Sequence, residues 1–142
     1  MNFKFGIAAI AFVVALLAPA AWAADSADAV FIAQGNQQWA EGRIEDAKKS
    51  FEQAVAADPR SVAAHMKLGG LLLSNSNYAA AIQIYQHTIG LDANNAKAWM
   101  GLGMAYLHGG QRELSRAAFS EAVRIDPGRK TQLAQLTEQP AD

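Results

Sequence analysis

The stretch WMGLGMAYLHGGQRELSRAAFSEAVRIDP, Trp99 to Pro127, spells out two helices and the breaks that separate them. Trp99, Leu102, Gly103 and Tyr106 stand at i, i+3, i+4 and i+7, one face of a helix. His108-Gly109-Gly110-Gln111 interrupts the pattern. Leu114, Ala118, Phe119, Ala122, Val123 and Ile125 then form a second apolar stripe. Asp126-Pro127-Gly128 stops it, because proline cannot continue a helix and glycine relaxes the turn. The same features recur upstream at a fixed interval of 34 residues: Gly35, Gly69 and Gly103; Ala47, Ala81 and Ser115; Phe51, Tyr85 and Phe119; Asp58, Asp92 and Asp126. A period of this length marks a repeat architecture. Such architectures build binding surfaces and very rarely active sites.

The period divides the chain into repeats at 28–61, 62–95 and 96–129. Repeat one has Ala40-Glu41-Gly42-Arg43 as its inner breaker and Asp58-Pro59 as its stop; repeat two uses Ser74-Asn75-Ser76-Asn77 and Ala93-Asn94-Asn95. Six helices of about 12–14 residues and no strands are predicted. Lys130 to Glu138 repeats the register once more, with Leu133 and Leu136 in the columns of Trp99 and Leu102. It is expected to form a short helix that caps the open end of the stack. Residues 24–27 form a short linker and 139–142 a disordered tail. Glycine inside a helix costs roughly 1 kcal/mol relative to alanine, so three in register need a reason. The expected one is close approach of the two helices in each repeat, with the aromatic column filling the gap to the following repeat.

Trp99-x-x-Leu102-Gly103-x-x-Tyr106, followed by Phe119, Ala122 and Pro127, resembles the tetratricopeptide repeat, with Ser115 in place of its small alanine. Repeat one carries the resemblance through Gly35, Ala47, Phe51, Ala54 and Pro59, with Phe31 in the tryptophan column and Gln34 and Gln38 as departures. Repeat two carries it through Leu68, Gly69, Tyr78, Ala81 and Tyr85, and departs at His65, Leu72, Thr88 and Ala93. The resemblance implies an all-α fold: a right-handed superhelical solenoid of three helix-turn-helix repeats with a short C-terminal capping helix.

Residues 1–23 have the anatomy of a secretory leader. Lys4 gives a positive start, Phe5 to Leu17 is almost wholly apolar, Pro19 breaks the run, and Ala21-Trp22-Ala23 offers small residues to a signal peptidase. An uncleaved membrane anchor is the competing reading, because Phe5 to Ala24 approaches the roughly 20 residues that span a bilayer. Pro19 and the Ala-x-Ala site favour cleavage after Ala23, and the absence of cysteine excludes a lipid-anchored lipoprotein. The style of the leader is bacterial, so the expected destination is the periplasm of a Gram-negative bacterium. Loss of Lys4 with the leader shifts the formal charge from −1 to −2. That balance gives no footprint for nucleic acid and no polybasic patch for a membrane surface. With no cysteine in an oxidising compartment, stability must come from packing alone.

Catalytic chemistry is not expected. His65, His87 and His108 fall in different repeat columns and have no metal-ligand spacing. His65 takes the column of Phe31 and Trp99, which makes it a partly buried packing residue, whereas His87 is expected in solvent. There is no nucleophile elbow, no HExxH and no phosphate-cradling loop. The expectation is no catalytic residue, no metal and no cofactor.

In the resembled fold the first helix of each repeat lines a concave groove. Carried onto this chain, the inward positions include Ile32, Asn36 and Trp39; Met66, Lys67, Gly70 and Leu73; and Lys97, Met100, Gly101, Met104, Leu107 and His108. The set is strongly apolar for a surface, and its three methionines suit an adaptable face. Gly35-Asn36-Gln37-Gln38-Trp39-Ala40-Glu41-Gly42 is similar to the opening of chaperone-binding tetratricopeptide domains, which clamp a peptide's terminal carboxylate. Asn36 and Lys97 match clamp positions and Lys67 replaces a clamp asparagine. Ile32 and Gly101 stand where that group has lysine and arginine, so the clamp is incomplete. Gly70 and Gly101 are expected to leave a shallow floor for a ligand. Trp39 either staples its repeat's inner turn or stands half-exposed as an aromatic anchor.

The resemblance therefore implies a non-catalytic adaptor that binds a segment of another protein, monomeric and away from membranes once the leader is removed. The alternatives are an accessory subunit or chaperone of an envelope assembly, such as cytochrome maturation, pilus or secretion biogenesis, and a self-associating homo-oligomeric scaffold.

Overall fold

The computed structural model describes residues 26–137. The leader, the first two linker residues, Glu138 of the capping segment and the tail lie outside the described residues. Seven α-helices follow in order: α1 (Ala27–Ala40), α2 (Ile44–Ala57), α3 (Val62–Ser74), α4 (Tyr78–Leu91), α5 (Ala96–His108), α6 (Arg112–Ile125) and α7 (Lys130–Thr137), with a 3-10 turn at Pro127–Arg129 before α7. There is no strand among the described residues. The chain is an all-α solenoid with a terminal helix laid over its end.

Local chemistry sets the helix ends. Ser61 Oγ accepts from Ala64 N at 3.1 Å and Asn95 Oδ1 from Ala98 N at 3.0 Å, which caps α3 and α5. Each such cap is worth about 1 kcal/mol. The aspartate column has its own role. Asp58, Asp92 and Asp126 each accept, through Oδ1, the backbone N–H two residues on (Arg60, Asn94 and Gly128), closing the same turn between successive units. The inner turns pass through a left-handed residue at the same register, Gly42 (φ 75°), Ser76 (φ 61°) and Gly110 (φ 78°). Ser76 has a Cβ, so the second repeat carries strain there that the other two avoid.

Helices pair within repeats, α1 on α2, α3 on α4 and α5 on α6, and α2 and α4 also pack on the next repeat's first helix. Among the first helices, α1 meets α3 and α3 meets α5, while α2, α4 and α6 do not meet one another. The inner layer is thus tighter than the outer, and the stack curves with α1, α3 and α5 on its concave side.

The glycine columns set the spacing inside each pair. A Cβ on Gly35 would lie 2.5 Å from Phe51 Cε1, and one on Gly103 2.5 Å from Phe119 Cδ1. At Gly69 it would lie 3.0 Å from the Tyr85 ring. Each aromatic therefore lies flush on the glycine of its own repeat, and Phe119 also packs with Leu133 of the helix that follows its repeat. The short distances follow from the missing Cβ: the ring takes its place. Tyr85 also packs on Gly101 of the next repeat, where a Cβ would overlap its ring.

Two of the departures from the family pattern, Gln38 and His65, are accounted for by their buried contacts. Gln38 is buried because Ser50 Oγ donates to its Oε1 at 2.6 Å. His65 is fully rather than partly buried; its Nδ1–H donates to the Ser61 carbonyl at 2.8 Å and its ring lies 4.6 Å from that of exposed His87. At the far end, Leu133 of α7 is buried against Phe119 and Ala122, so α7 covers the apolar face that α5 and α6 would otherwise leave open.

Gly103→Ala is expected to destabilise the fold by about 1–3 kcal/mol, since the buried Phe119 ring has nowhere to go. Gly90, exposed on α4 with open space around it, is expected to gain up to about 1 kcal/mol on replacement by alanine. Urea unfolding of the two variants measures both, and a similar loss in each would contradict the packing role assigned to Gly103.

Candidate functional site: the concave groove

The concave layer opens into one trough of about 500 Å³. Its floor and walls come from Trp39 on α1, Met66, Gly70 and Leu73 on α3, and Met100, Gly101 and Met104 on α5; Lys67 and Lys97 add two exposed ammonium groups. These nine residues were singled out from the sequence, and the fold brings them together because they share one face of three helices, of which α3 touches both α1 and α5.

Four others named from the sequence do not line it. Asn36 sits with Trp39 and Ala40 in a separate, open depression. Ile32 is half-buried on α1 outside the trough. Leu107 packs toward the Phe119–Ala122–Leu133 cluster, and His108 at the end of α5 stacks on Tyr78, ring centroids 5.5 Å apart.

Gly101 also needs correction. It is buried, and the space that its missing side chain leaves is filled by the Tyr85 ring, so it offers no open floor. Gly70 is different. A Cβ there would meet only Trp39 Cη2 at 3.7 Å and Tyr85 Oη at 3.9 Å, ordinary contacts, and the residue faces the trough. The Trp39 ring stands edge-on to Phe51, 6.2 Å between centroids and 80° between planes, and it remains half-exposed along the trough.

Two lining residues, Tyr85 and Arg129, were not singled out for this face. Tyr85 sits on an outer helix, in a column assigned to packing, and reaches the concave side only because Gly69 and Gly101 let its ring through. Its one sequence signal is a hydroxyl where the other repeats have Phe51 and Phe119. Arg129 is the last residue of the third repeat, in the register of the capping residues Ser61 and Asn95. The 3-10 turn swings it inward, where Nη1 reaches Met100 Sδ at 3.5 Å. Its Nε stands 2.9 Å from Asp126 Oδ2, off the N–H axis, so the pair is ionic without a hydrogen bond.

The trough therefore combines an apolar, methionine-rich surface with three cationic groups, and none of its lining residues is acidic. Among the described residues no group of three or more histidines, cysteines or carboxylates could hold a metal ion.

Residues 32–96 and 72–139 each match a tetratricopeptide-repeat family profile, and together they span most of the chain. The chain belongs to the tetratricopeptide-repeat family. It is 30% identical over 95 residues to the Hsp70-Hsp90 organizing protein of Triticum aestivum, covering 67% of this chain and 16% of that protein. It is 32% identical over 87 residues to human peptidyl-prolyl cis-trans isomerase FKBP4, covering 61% of this chain and 19% of that one. The chain thus spans under a fifth of either relative. Among solved structures, the first repeat domain of Spaghetti (RPAP3) bound to the HSP90 peptide SRMEEVD superposes with a TM-score of 0.71 at 15% identity, over 81% of this chain and 96% of that one. At that identity the superposition speaks for the fold.

Burial pushes the Tyr85 phenol up to about 12, from 10.0. Below pH 10 the phenol is neutral in both folded and unfolded chain. Between pH 10 and 12 the unfolded chain releases the proton while the folded one retains it. Stability should therefore fall across that window, by about 2–3 kcal/mol from this residue. Urea titrations at pH 9 and pH 11.5 are expected to show a smaller alkaline loss in Tyr85→Phe than in the parent chain; equal losses would place the phenol in water.

Proposed function

We propose that this chain is a non-catalytic adaptor that holds a segment of a partner protein in its concave groove, and that it works in the periplasm after removal of its leader. The observation that carries the first part is the trough itself. Methionine, leucine and tryptophan side chains are left unfilled along one face of a fold that is otherwise closed by α7. An exposed apolar surface of this kind marks an interaction site. Flexible methionines let it accept side chains of different shape. The HSP90 peptide bound by the structurally similar RPAP3 domain supports a peptide as the class of occupant. The second part is supported by the leader-like residues 1–23.

Gly70 gives a clean test of the groove. Gly70→Leu places a side chain in the trough with no clash at its Cβ, and removes a helix glycine. Helicity and melting temperature are expected to hold or rise. Binding of peptides selected on the parent chain from a displayed random twelve-residue library is expected to fall more than tenfold. Undiminished binding by Gly70→Leu would show that the groove is not the site.

Export is checked separately. In a Gram-negative host, the chain recovered from the periplasm is expected to have the mass of residues 24–142; a full-length chain retained in the membrane fraction would favour the anchor.

A further inference from the structure

The chain has no cysteine, and its only methionine besides Met66, Met100 and Met104 is the initiator Met1. All three internal methionines line the concave trough, each half-buried. The sulfur of the described residues is therefore gathered on one face, the face that the groove reading gives to a partner. Leucine has nearly the same volume and fills a static core as well. Packing alone thus gives no reason for three thioethers in one trough.

Met100 differs from the other two. Arg129 Nη1 donates to its Sδ at 3.5 Å, whereas no donor reaches the sulfur of Met66 or Met104 among the described residues. Asp126 Oδ2, 2.9 Å from Nε, steadies the guanidinium there. A thioether is a weak acceptor and makes little use of a cationic donor. A sulfoxide oxygen is a strong acceptor. The donor sits where an oxygen added to this sulfur would need it.

We infer that Met100 is a sulfoxidation site: a peroxide oxidises its thioether, Arg129 receives the new oxygen, and the trough releases its bound segment. The sulfur lone pair attacks one oxygen of hydrogen peroxide. The S–O bond forms as the O–O bond breaks, and the departing hydroxide takes up the proton left on the new oxygen and leaves as water. Sulfur is oxidised and the peroxide is reduced. The Arg129 N–H faces the oxygen on which negative charge develops, which favours this sulfur over the other two. The inference rests on the groove reading above and adds its regulation. Oxidation puts a polar oxygen among apolar lining residues, and it ties down a side chain whose freedom lets the trough adapt. Because the oxygen has a donor in place, the fold stays intact and reductases can reverse the change.

The test treats the full chain with limiting hydrogen peroxide, stops the reaction with catalase and maps the added oxygen by peptide mass spectrometry. Met100 is expected to be oxidised about threefold or more faster than Met66 and Met104, and Arg129→Leu is expected to erase that lead. Binding is then read with the tightest peptide from the twelve-residue library that lacks methionine and cysteine, each variant against its own untreated form. The oxidised parent is expected to bind about tenfold more weakly at an unchanged melting temperature, and methionine sulfoxide reductases of both stereochemical types are expected to restore it. A Met66→Leu, Met104→Leu double variant, which keeps Met100, is expected to lose affinity on oxidation by a similar factor. Met100→Leu is expected to lose none. Leucine replaces methionine with little strain, so these variants are expected to fold; should Arg129→Leu lower the melting temperature, the Met100→Leu leg decides alone. Oxidation without preference for Met100, or undiminished binding once Met100 is oxidised, would overturn the inference. If the peptide remains sensitive to Gly70→Leu, the groove reading survives that result. If it is insensitive, the groove reading falls and the inference with it.

Discussion

The contact on which the rest depends is an aromatic ring seated on a helix backbone where a glycine has no Cβ. Phe51 on Gly35, Tyr85 on Gly69 and Phe119 on Gly103 draw the two helices of each repeat together. The rings are almost wholly buried. Truncating such a ring typically costs about 3–5 kcal/mol, against a total stability of about 5–15 kcal/mol for a domain. The roughly 1 kcal/mol lost to each helix glycine is therefore small beside what the contact secures. Because the contact recurs at an interval of 34 residues, every pair has the same geometry, and stacking such pairs produces a curve.

Curvature is what separates the two faces. The first helices touch one another and the second helices do not, so the inner layer is compressed and its outward side chains converge. Convergence makes a trough from residues that would otherwise be scattered on a surface. Tyr85 links the two levels of organisation. The ring that closes repeat two against Gly69 also passes Gly101 of repeat three and ends in the groove. One side chain thus sets the internal spacing of a repeat, the spacing between repeats, and part of the chemistry of the concave surface.

The fold was legible because its determinants are local and periodic. Gly, Ala, aromatic and Asp columns each act within a helix pair or a turn, and a one-dimensional register records them faithfully. The groove was legible in part for the same reason: Met66, Gly70, Met100 and Met104 follow from helix periodicity once the inner face is known. What the register could not show depends on three-dimensional passage. Gly101 looked like a vacancy because its occupant comes from another helix, 16 residues back in the chain. Arg129 went unnoticed because its inward placement follows from the hydrogen bond that Gly128 N donates to Asp126 and from the 3-10 turn there. His108 and Leu107 were assigned inward because the register continues through them. Their environments are set instead by Tyr78 and by the α7 contact.

Net charge was a poor guide to the groove for a related reason: it averages over two faces that the fold separates. Paired acids lie mainly on the outer helices and the inner turns. Arg43 pairs with Glu41 and Asp46, Lys48 with Glu52, Arg116 with Glu113, and Arg124 with Glu121, all largely in solvent. Such pairs contribute little to stability individually, but they neutralise the convex side. On the concave side Arg129 is paired with Asp126, but Lys67 and Lys97 line the trough without an acidic partner among the described residues. A chain with a formal charge of −1 thus presents a locally positive groove. Within about 10 Å, the distance over which salt leaves charges visible to one another, an approaching segment meets that groove and not the average. The partition costs the fold almost nothing, because the charged groups sit at positions that the glycine–aromatic contacts leave free. The repeat can therefore vary its partner chemistry without touching the contacts that hold it together.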